Sequence, residues 1–523
     1  MTELDYRLML FVKDFTDKGA EKYYWFKENQ LEEVDAASII AFEGVVVCHD
    51  FWMIRDVIFD STGTLPEVIV DVDEFRISIS GLPEDRIDRE KRSVATHLVQ
   101  YGAEEEVCDT YWRMFNKGEE YDTDVAIKVA KAIEAMYLDL CEKASSANEL
   151  ERFFSVEVPV YRILQFFMSK GVLINTTELS EKRSQAEHDY FLALKNYSAK
   201  HDMPLETPTR RALAAKLSAE GFELEEVSVE YLLEFVPHSR DFGSDTMTLL
   251  NLDATRRVLS SLTLASTFIR PVIDVFGSRT SRVQLRSPSL QNLPKRYRSI
   301  IVASKGAQLS YVDFDQFEVG IMAALSGDEE LKRLYAAGDM YDLFATDRLG
   351  LSGNRKAAKQ LFLSYAYGMS RKALIDAACS FGVERRKAKE AFKLFQCYEN
   401  WKKLVYEEFK NNSRVATLLG NHYRRSSTNG QLTRKEQRSV VSQIVQGTAS
   451  LIFKRVLIAV ASIPDVRIVL PMHDALLFEH TLVETPNRVV DAFESVMTDV
   501  LESQVTGKAS ISDFFERSQV CSS

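Results

Sequence analysis

The sequence has no long uninterrupted apolar segment. Its longest apolar runs, such as Val456–Ile463 and Ile468–Met472, fall far short of the roughly 20 residues that a membrane-spanning helix needs. No basic stretch followed by an apolar one opens the chain, so a secretory signal is not expected. Cysteine is scarce: six stand singly, at positions 48, 108, 141, 379, 397 and 521, with no CxxC pair. That argues against a structural zinc site or a disulfide framework and suits a reducing compartment with buried or inert thiols. The eight histidines are scattered and form no spaced His–Asp series of the kind a phosphohydrolase uses. Low-complexity tracts, internal repeats and long linkers are also missing, so the domains are expected to pack directly on one another.

A chain of 523 residues exceeds what one hydrophobic core supports and predicts several domains. The net charge of −12 is unevenly spread. Residues 1–150 hold 16 Lys+Arg against 33 Asp+Glu, which leaves the remainder slightly basic. Binding phosphate needs a local basic surface and tolerates acid elsewhere. Residues 270–298 offer one, with Arg270, Arg279, Arg282, Arg286, Lys295, Arg296 and Arg298 against a lone Asp274. By charge alone, this run reads equally well as a solvated loop.

Along the chain, short apolar runs at Tyr6–Val12, Ser38–Ala41, Gly44–Cys48 and Glu67–Val72 predict a small α/β unit. Apolar residues then recur at spacings of three and four through Val125, Val129, Ile133, Met136 and Tyr137, and helices are expected through Phe153–Lys170 and Glu178–Tyr197. Further on, Gln308–Phe314 reads as a strand and Asn354–Tyr367 as a helix ending at Gly368. Glu436–Ile463 reads as a long amphipathic helix. Val466–Met472 and Ala475–Glu479 flank His473-Asp474 as a tight hairpin, with Pro471 weakening the pairing.

Phosphoryl transfer to a hydroxyl uses two divalent cations roughly 3.5–4 Å apart, held by carboxylates at strand ends or turns. Asp313 ends a predicted strand and Asp474 sits in a predicted turn. Taken singly, such aspartates also serve as caps and turn formers. The helix after Asn354 is more specific. Arg355, Lys359, Leu363 and Tyr367 recur every four residues and share one face. Two cations, an apolar group and an aromatic in that order can lie along a nucleoside triphosphate, although an amphipathic helix with a solvated basic end has the same pattern.

Five segments in order resemble family A DNA polymerases, the group of bacterial polymerase I. LSYVDFDQFEVGIMAALSGD at 309–328 is similar to motif A, RKAAKQLFLSYAYGMS at 355–370 to motif B and VLPMHDALLFE at 469–479 to motif C. SRVQLRSPSLQNLP at 281–294 resembles the family's upstream segment. Residues 437–455, including SQIVQGTA, resemble its palm helix. The resemblance implies that Asp313 and Asp474 bind the catalytic Mg²⁺ ions, with Mn²⁺ as an alternative, and that Lys359 is a general acid. It implies nucleotide contacts by Arg355, Lys359, Leu363, Tyr367, Gln316, Tyr341 and Glu318, the last crowding the sugar 2′ carbon. It implies primer-template contacts by Arg282, Arg296, Arg298, Asn292, Gln446, Arg438 and His473.

The sequence also departs from the family pattern. Leu363 replaces the usual Phe or Tyr, which implies poor use of dideoxynucleotides. Ala475 replaces motif C's glutamate, Gly320 replaces arginine, Tyr341 stands where histidine is frequent, and Asp315 stands where serine is frequent.

The resemblance further implies an α/β multidomain chain with a right-hand polymerase fold behind a ribonuclease H-like 3′–5′ exonuclease-type domain. Its divisions are a degenerate exonuclease-like domain at 1–150, a thumb at 151–270, a palm at 271–328 and 416–523, and fingers at 329–415. The exonuclease carboxylates look dismantled. Lys13 and Phe15 stand for the first Asp and Glu, Asp50 and Ile54 fall in the second motif, and Gly118 replaces a tyrosine near a surviving Asp122. A shift of one or two residues would recruit Asp14, Asp17 or Asp56 instead. The expected protein is a monomeric DNA-directed DNA polymerase, replicative and phage-encoded, without proofreading or a 5′ nuclease. Its partners would be primer-template DNA, dNTPs and other replication proteins, with no membrane. A repair or translesion polymerase and a non-catalytic DNA-binding subunit are the alternatives.

Overall fold

The computed structural model describes residues 5–13, 21–82, 84–85, 93–220, 229, 240–393, 395–426 and 430–516. A five-stranded sheet comes first, with spatial order Gln30–Val34, Glu21–Lys27, Tyr6–Lys13, Val45–Cys48, Val68–Asp71. The last three strands run parallel and the first pairs are antiparallel. Val45–Cys48 is buried at every position, as expected of a strand covered on both faces. The first two strands of this order escape the apolar-run criterion because EKYYWFK and QLEEV mix charged with aromatic or apolar residues. Their hairpin turns at Glu28 and Asn29, both at positive φ (50° and 64°). The apolar run 38–41 belongs to a short helix, Ala36–Ile40, capped by Asp35.

The helix Thr123–Ser146 covers this sheet. Its periodic residues Val129, Ile133, Met136 and Tyr137 are buried, and Tyr137 packs on Tyr6 with ring centroids 5.1 Å apart. Behind it the hydrophobic core runs without a break into the second half of the chain. Buried polar groups stitch the same junction. Arg55 donates to Gln165 and to the Pro271 carbonyl, and Lys454 donates to Glu157 at 2.7 Å. Glu149, itself sealed from solvent, accepts from Arg152 and His422. Charges buried this deeply cost several kcal/mol each unless paired, so the pairing fixes how the two halves sit.

Between the halves, the long helices Thr176–His201 and Arg240–Ser261 enclose a separate small core that includes Tyr190, Leu194, Tyr197, Phe242 and Leu249. The second half is built on a four-stranded antiparallel sheet ordered Arg467–Met472, Ala475–His480, Gln308–Phe314, Ala509–Ile511. Pro471 pairs with Leu476 without interruption. It sits on an edge strand, where its missing N–H costs nothing, and the irregularity falls instead at Ile468/Leu470. The helix Arg434–Ala461, started by a capping box of Thr433 and Glu436, packs against the helices Thr485–Val500, Phe317–Ser326 and Val158–Lys170. The amphipathic expectation for this helix fails. It is buried on nearly all sides from Val440 to Val460. Its apolar window has a mean hydropathy of 1.6, enough by composition for a membrane span, yet 72% of that window is buried inside the fold.

Candidate active site

The strand Gln308–Phe314 ends as predicted, and Asp313 pairs across it with Ala475 on one side and Ser510 on the other. Asp474, next to Ala475, therefore lies beside Asp313 at the same end of the sheet. The turn between the strands is made by His473, at φ 63°, and Asp474. Among the described residues no hydrogen-bond donor reaches either carboxylate. Burial, followed by repulsion from Asp474 and Asp315, pushes the Asp313 carboxyl up to about 7, against the pull of Lys359 and Lys295. Asp315 is held by the Ser510 hydroxyl at 3.0 Å.

This donor set fits Mg²⁺. The ion prefers oxygen, takes one or two carboxylates and completes its shell from phosphate and water. No group of three or more His, Cys, Asp or Glu forms a closed cage among the described residues. Ala475, where the resemblance leads one to expect glutamate, is small and buried, so that position adds no carboxylate to the pair.

The helix Arg355–Ala366 carries Lys359 into electrostatic reach of Asp313. Lys359 acts on Asp313 electrostatically, and both Lys359 and Arg355 lie near the Tyr341 ring, at 5.6 and 5.4 Å from its centroid. Leu363 packs against the core from a partly buried position. Tyr367 caps the helix and donates its hydroxyl to Glu318 at 2.6 Å. The same carboxylate accepts from Arg282 at 2.7 Å and from Gln446 at 3.2 Å. The resemblance assigned Glu318 and Tyr367 to the nucleotide and Arg282 and Gln446 to the primer-template; in the fold the four form one network.

Arg282, Gln446, Arg438 and His473 line a single groove of about 850 Å³, with Arg279, Arg425 and Lys435. Burial, with Arg282 and Arg298 nearby, holds His473 below its usual pKa despite Asp474. Asn292 and Arg296 line a second groove of about 560 Å³ against the helix Arg240–Ser261. Sequence reading missed Lys435 and the position of Lys295 near Asp313, and also Arg425, whose guanidinium pairs with Glu436 beside the groove. Only the density of basic residues pointed to them.

Two of the expected contact residues also bond within the fold. Arg298 donates to the carbonyls of Leu293 and Phe514 and lies over the Phe514 ring, lining neither groove. Gln316 uses both ends of its amide, donating to the Gly338 carbonyl and accepting from Met340 N–H. The basic run divides in the same way. Arg270 pairs with Asp60, and Arg286 pairs with Asp274 and lies over Trp52, whereas Arg279 and Arg282 face the groove. Gly320 has its own explanation. A β-carbon there would stand 2.6 Å from Met497 and 2.9 Å from Tyr335, which fill the space a longer side chain would need.

In the first sheet, every described candidate carboxylate is engaged. Asp122 caps the helix Thr123–Ser146, Asp56 accepts from Arg55 and Ser169, and Asp50 accepts from His49 and Trp52. Lys13 ends its strand against Met53 and the Phe115 ring, and Ile54 is fully buried. Asp14, Phe15 and Asp17 lie outside the described residues.

Residues 245–512, just over half of the chain, match the profile of DNA polymerase family A. The chain is similar to DNA polymerase I of Pseudomonas aeruginosa, 26% identical over 411 residues, which are 68% of this chain and 42% of that protein. It is also similar to DNA polymerase I of Helicobacter pylori, 29% identical over 48% of this chain and 29% of that protein. The thermostable DNA polymerase I of Thermus aquaticus is 27% identical over 46% of this chain and 32% of its own length. The chain thus spans less than half the length of these relatives. In fold it resembles the POL domain of Pol1 from M. smegmatis, solved in complex with DNA primer-template and dNTP. The TM-score is 0.71 at 20% identity, covering 96% of this chain and 91% of that one.

Proposed function

The chain belongs to DNA polymerase family A, and from that premise we propose that it is a DNA-directed DNA polymerase that extends a primer 3′-OH. One observation carries the reading. Asp313 and Asp474 stand together at a sheet end, facing the helix that bears Arg355 and Lys359. Asp313 and Asp474 would hold two Mg²⁺ ions, with Mn²⁺ as a substitute. Such ions, when bound, supply activation of the attacking hydroxyl and neutralisation of the departing pyrophosphate.

The protein's own groups do the rest. Arg355 and Lys359 bind the triphosphate, and Lys359 donates a proton to the leaving pyrophosphate. Glu318, held by Arg282, Gln446 and Tyr367, presents a fixed wall to the sugar and so rejects a 2′-hydroxyl. Arg282, Arg438, Gln446 and His473 follow the duplex near its growing end, gripping shape and phosphate more than sequence. The two grooves belong to the palm and, at the helix Arg240–Ser261, to the thumb; the segment around Arg355–Ala366 is the fingers. The first sheet is a 3′–5′ exonuclease-type domain without proofreading activity, a reading supported by its described candidate carboxylates, which serve the fold.

Primer extension with Mg²⁺ tests the proposal. Lengthened primer supports it. A shift in DNA mobility with no lengthening shows a DNA-binding subunit instead.

A further inference from the structure

Arg355 is already occupied in the structure. Its Nε and Nη2 donate to one oxygen of Asp339, at 2.7 and 2.6 Å. The other Asp339 oxygen accepts the N–H groups of Tyr341 and Asp342, at 2.9 and 3.1 Å, and caps the helix Met340–Leu343. The segment is pinned from behind by Gln316, whose amide bridges the Gly338 carbonyl and Met340 N–H at 2.8 and 2.7 Å. Asp339 is therefore fixed to the end of the carboxylate strand, while Arg355 rides on a different helix. Lys359, which shares the Tyr341 face with Arg355, has no carboxylate within ion-pair distance among the described residues.

We infer that Asp339 is a displaceable counter-ion for Arg355, which the triphosphate of an incoming nucleotide must replace. This deepens the proposed function and rests on its assignment of Arg355 to the triphosphate.

Three features favour exchange over a permanent brace. The side chains are 45% and 34% exposed, so the pair is worth little in water. A triphosphate brings more charge than one carboxylate and suits the planar guanidinium equally well. Displacement also leaves Asp339 with both backbone donors, so no buried acceptor is orphaned. Asp339 is thus a positioning residue that sets nucleotide affinity. Anions too weakly charged to outcompete it are kept off Arg355.

Asp339→Asn keeps a capping oxygen and removes the charge. The measurements are KM for dNTP in primer extension and, without turnover, the Kd of inorganic triphosphate by calorimetry. Both should fall roughly two- to fivefold, the worth of an exposed ion pair. Asp339→Ala should lower the triphosphate Kd as well, even where loss of the cap reduces its thermal stability. Arg355→Ala should raise both constants and make the Asp339→Asn change disappear in the double variant. If Asp339→Asn leaves both constants unchanged or raises them while Arg355→Ala raises them, the counter-ion role is overturned and the polymerase reading stands. If Arg355→Ala changes neither, the assignment of Arg355 fails and the inference falls with it.

Discussion

Two groups of carboxylates, one in each half of the molecule, have opposite fates. In the first sheet Asp71 accepts from the N–H groups of Phe51, Asp73 and Glu74 and from the Tyr161 hydroxyl, and Asp50, Asp56 and Asp122 each have donors of their own. At the second sheet Asp313 and Asp474 stand side by side, and no hydrogen-bond donor among the described residues reaches them. A carboxylate that holds a helix cap or a buried N–H has its lone pairs spent on the fold. One that faces another carboxylate across a strand pair is poised for a cation. Acidic residues are denser in the first 150 positions, which hold 33 of the 77, yet the arrangement suited to chemistry lies in the less acidic part.

Removing either free aspartate should have the largest effect. Asp474→Ala and Asp313→Ala are expected to lower primer extension on the order of 10³-fold or more while leaving gel-shift affinity for primer-template nearly intact. Near-normal synthesis by either variant would break the contrast at its strong end.

The engaged group predicts a stability effect instead. Burial, with Asp73, Asp50 and Glu74 nearby, pushes Asp71 up to about 8 from an ordinary 3.8. Its native pKa is raised, so the folded state keeps a proton that the unfolded state releases. The resulting cost is absent below about 3.8, grows as pH rises and is complete above about 8. Asp71→Asn should therefore gain stability over wild type progressively from pH 4 to pH 8, on the order of a few kcal/mol, seen in melting temperatures. A pH-independent difference would contradict this.

Leu363→Tyr tests the site from its edge. Restoring an aromatic ring should raise incorporation of dideoxynucleotides relative to dNTPs about tenfold, a change of roughly 1.4 kcal/mol. Comparable use of both by the wild type would show that the leucine does not matter. The smallest expected effect is none. Purified protein should not degrade a mismatched primer, and Asp122→Ala should change nothing except to loosen its helix by about 1 kcal/mol. Degradation that disappears with Asp122 would turn the first sheet back into a nuclease.

The legible parts of the chain were those where local pattern and tertiary role coincide. The strand Gln308–Phe314 was readable because its apolar run has turn residues at its end, and the helix after Asn354 because four chemistry-bearing residues keep one period. The strands Glu21–Lys27 and Gln30–Val34 were not readable, because EKYYWFK and QLEEV mix charged with aromatic or apolar residues, and Gln30–Val34 lies at the sheet edge, where charge is tolerated. The helix Arg434–Ala461 was misjudged for the converse reason. Gln443, Thr448, Ser450 and Lys454 look like a polar face, but each is buried, and Lys454 is matched by a glutamate nearly 300 positions away.

By itself the sequence determined the kinds of group at the site and their order along the chain, since residue identity and spacing are local properties. It named Asp313, Asp474, Arg355 and Lys359 as candidates, and the resemblance of five segments supplied the family. Only the tertiary structure decided which polar groups are free to act. Arg298 and Gln316, expected to contact ligands, also bond to backbone groups of the fold, and Arg355 is shared with Asp339, which no motif singled out. The physical reason is that a side chain's availability depends on what the fold brings to it. A hydrogen bond or ion pair between residues distant in sequence leaves no mark on either one.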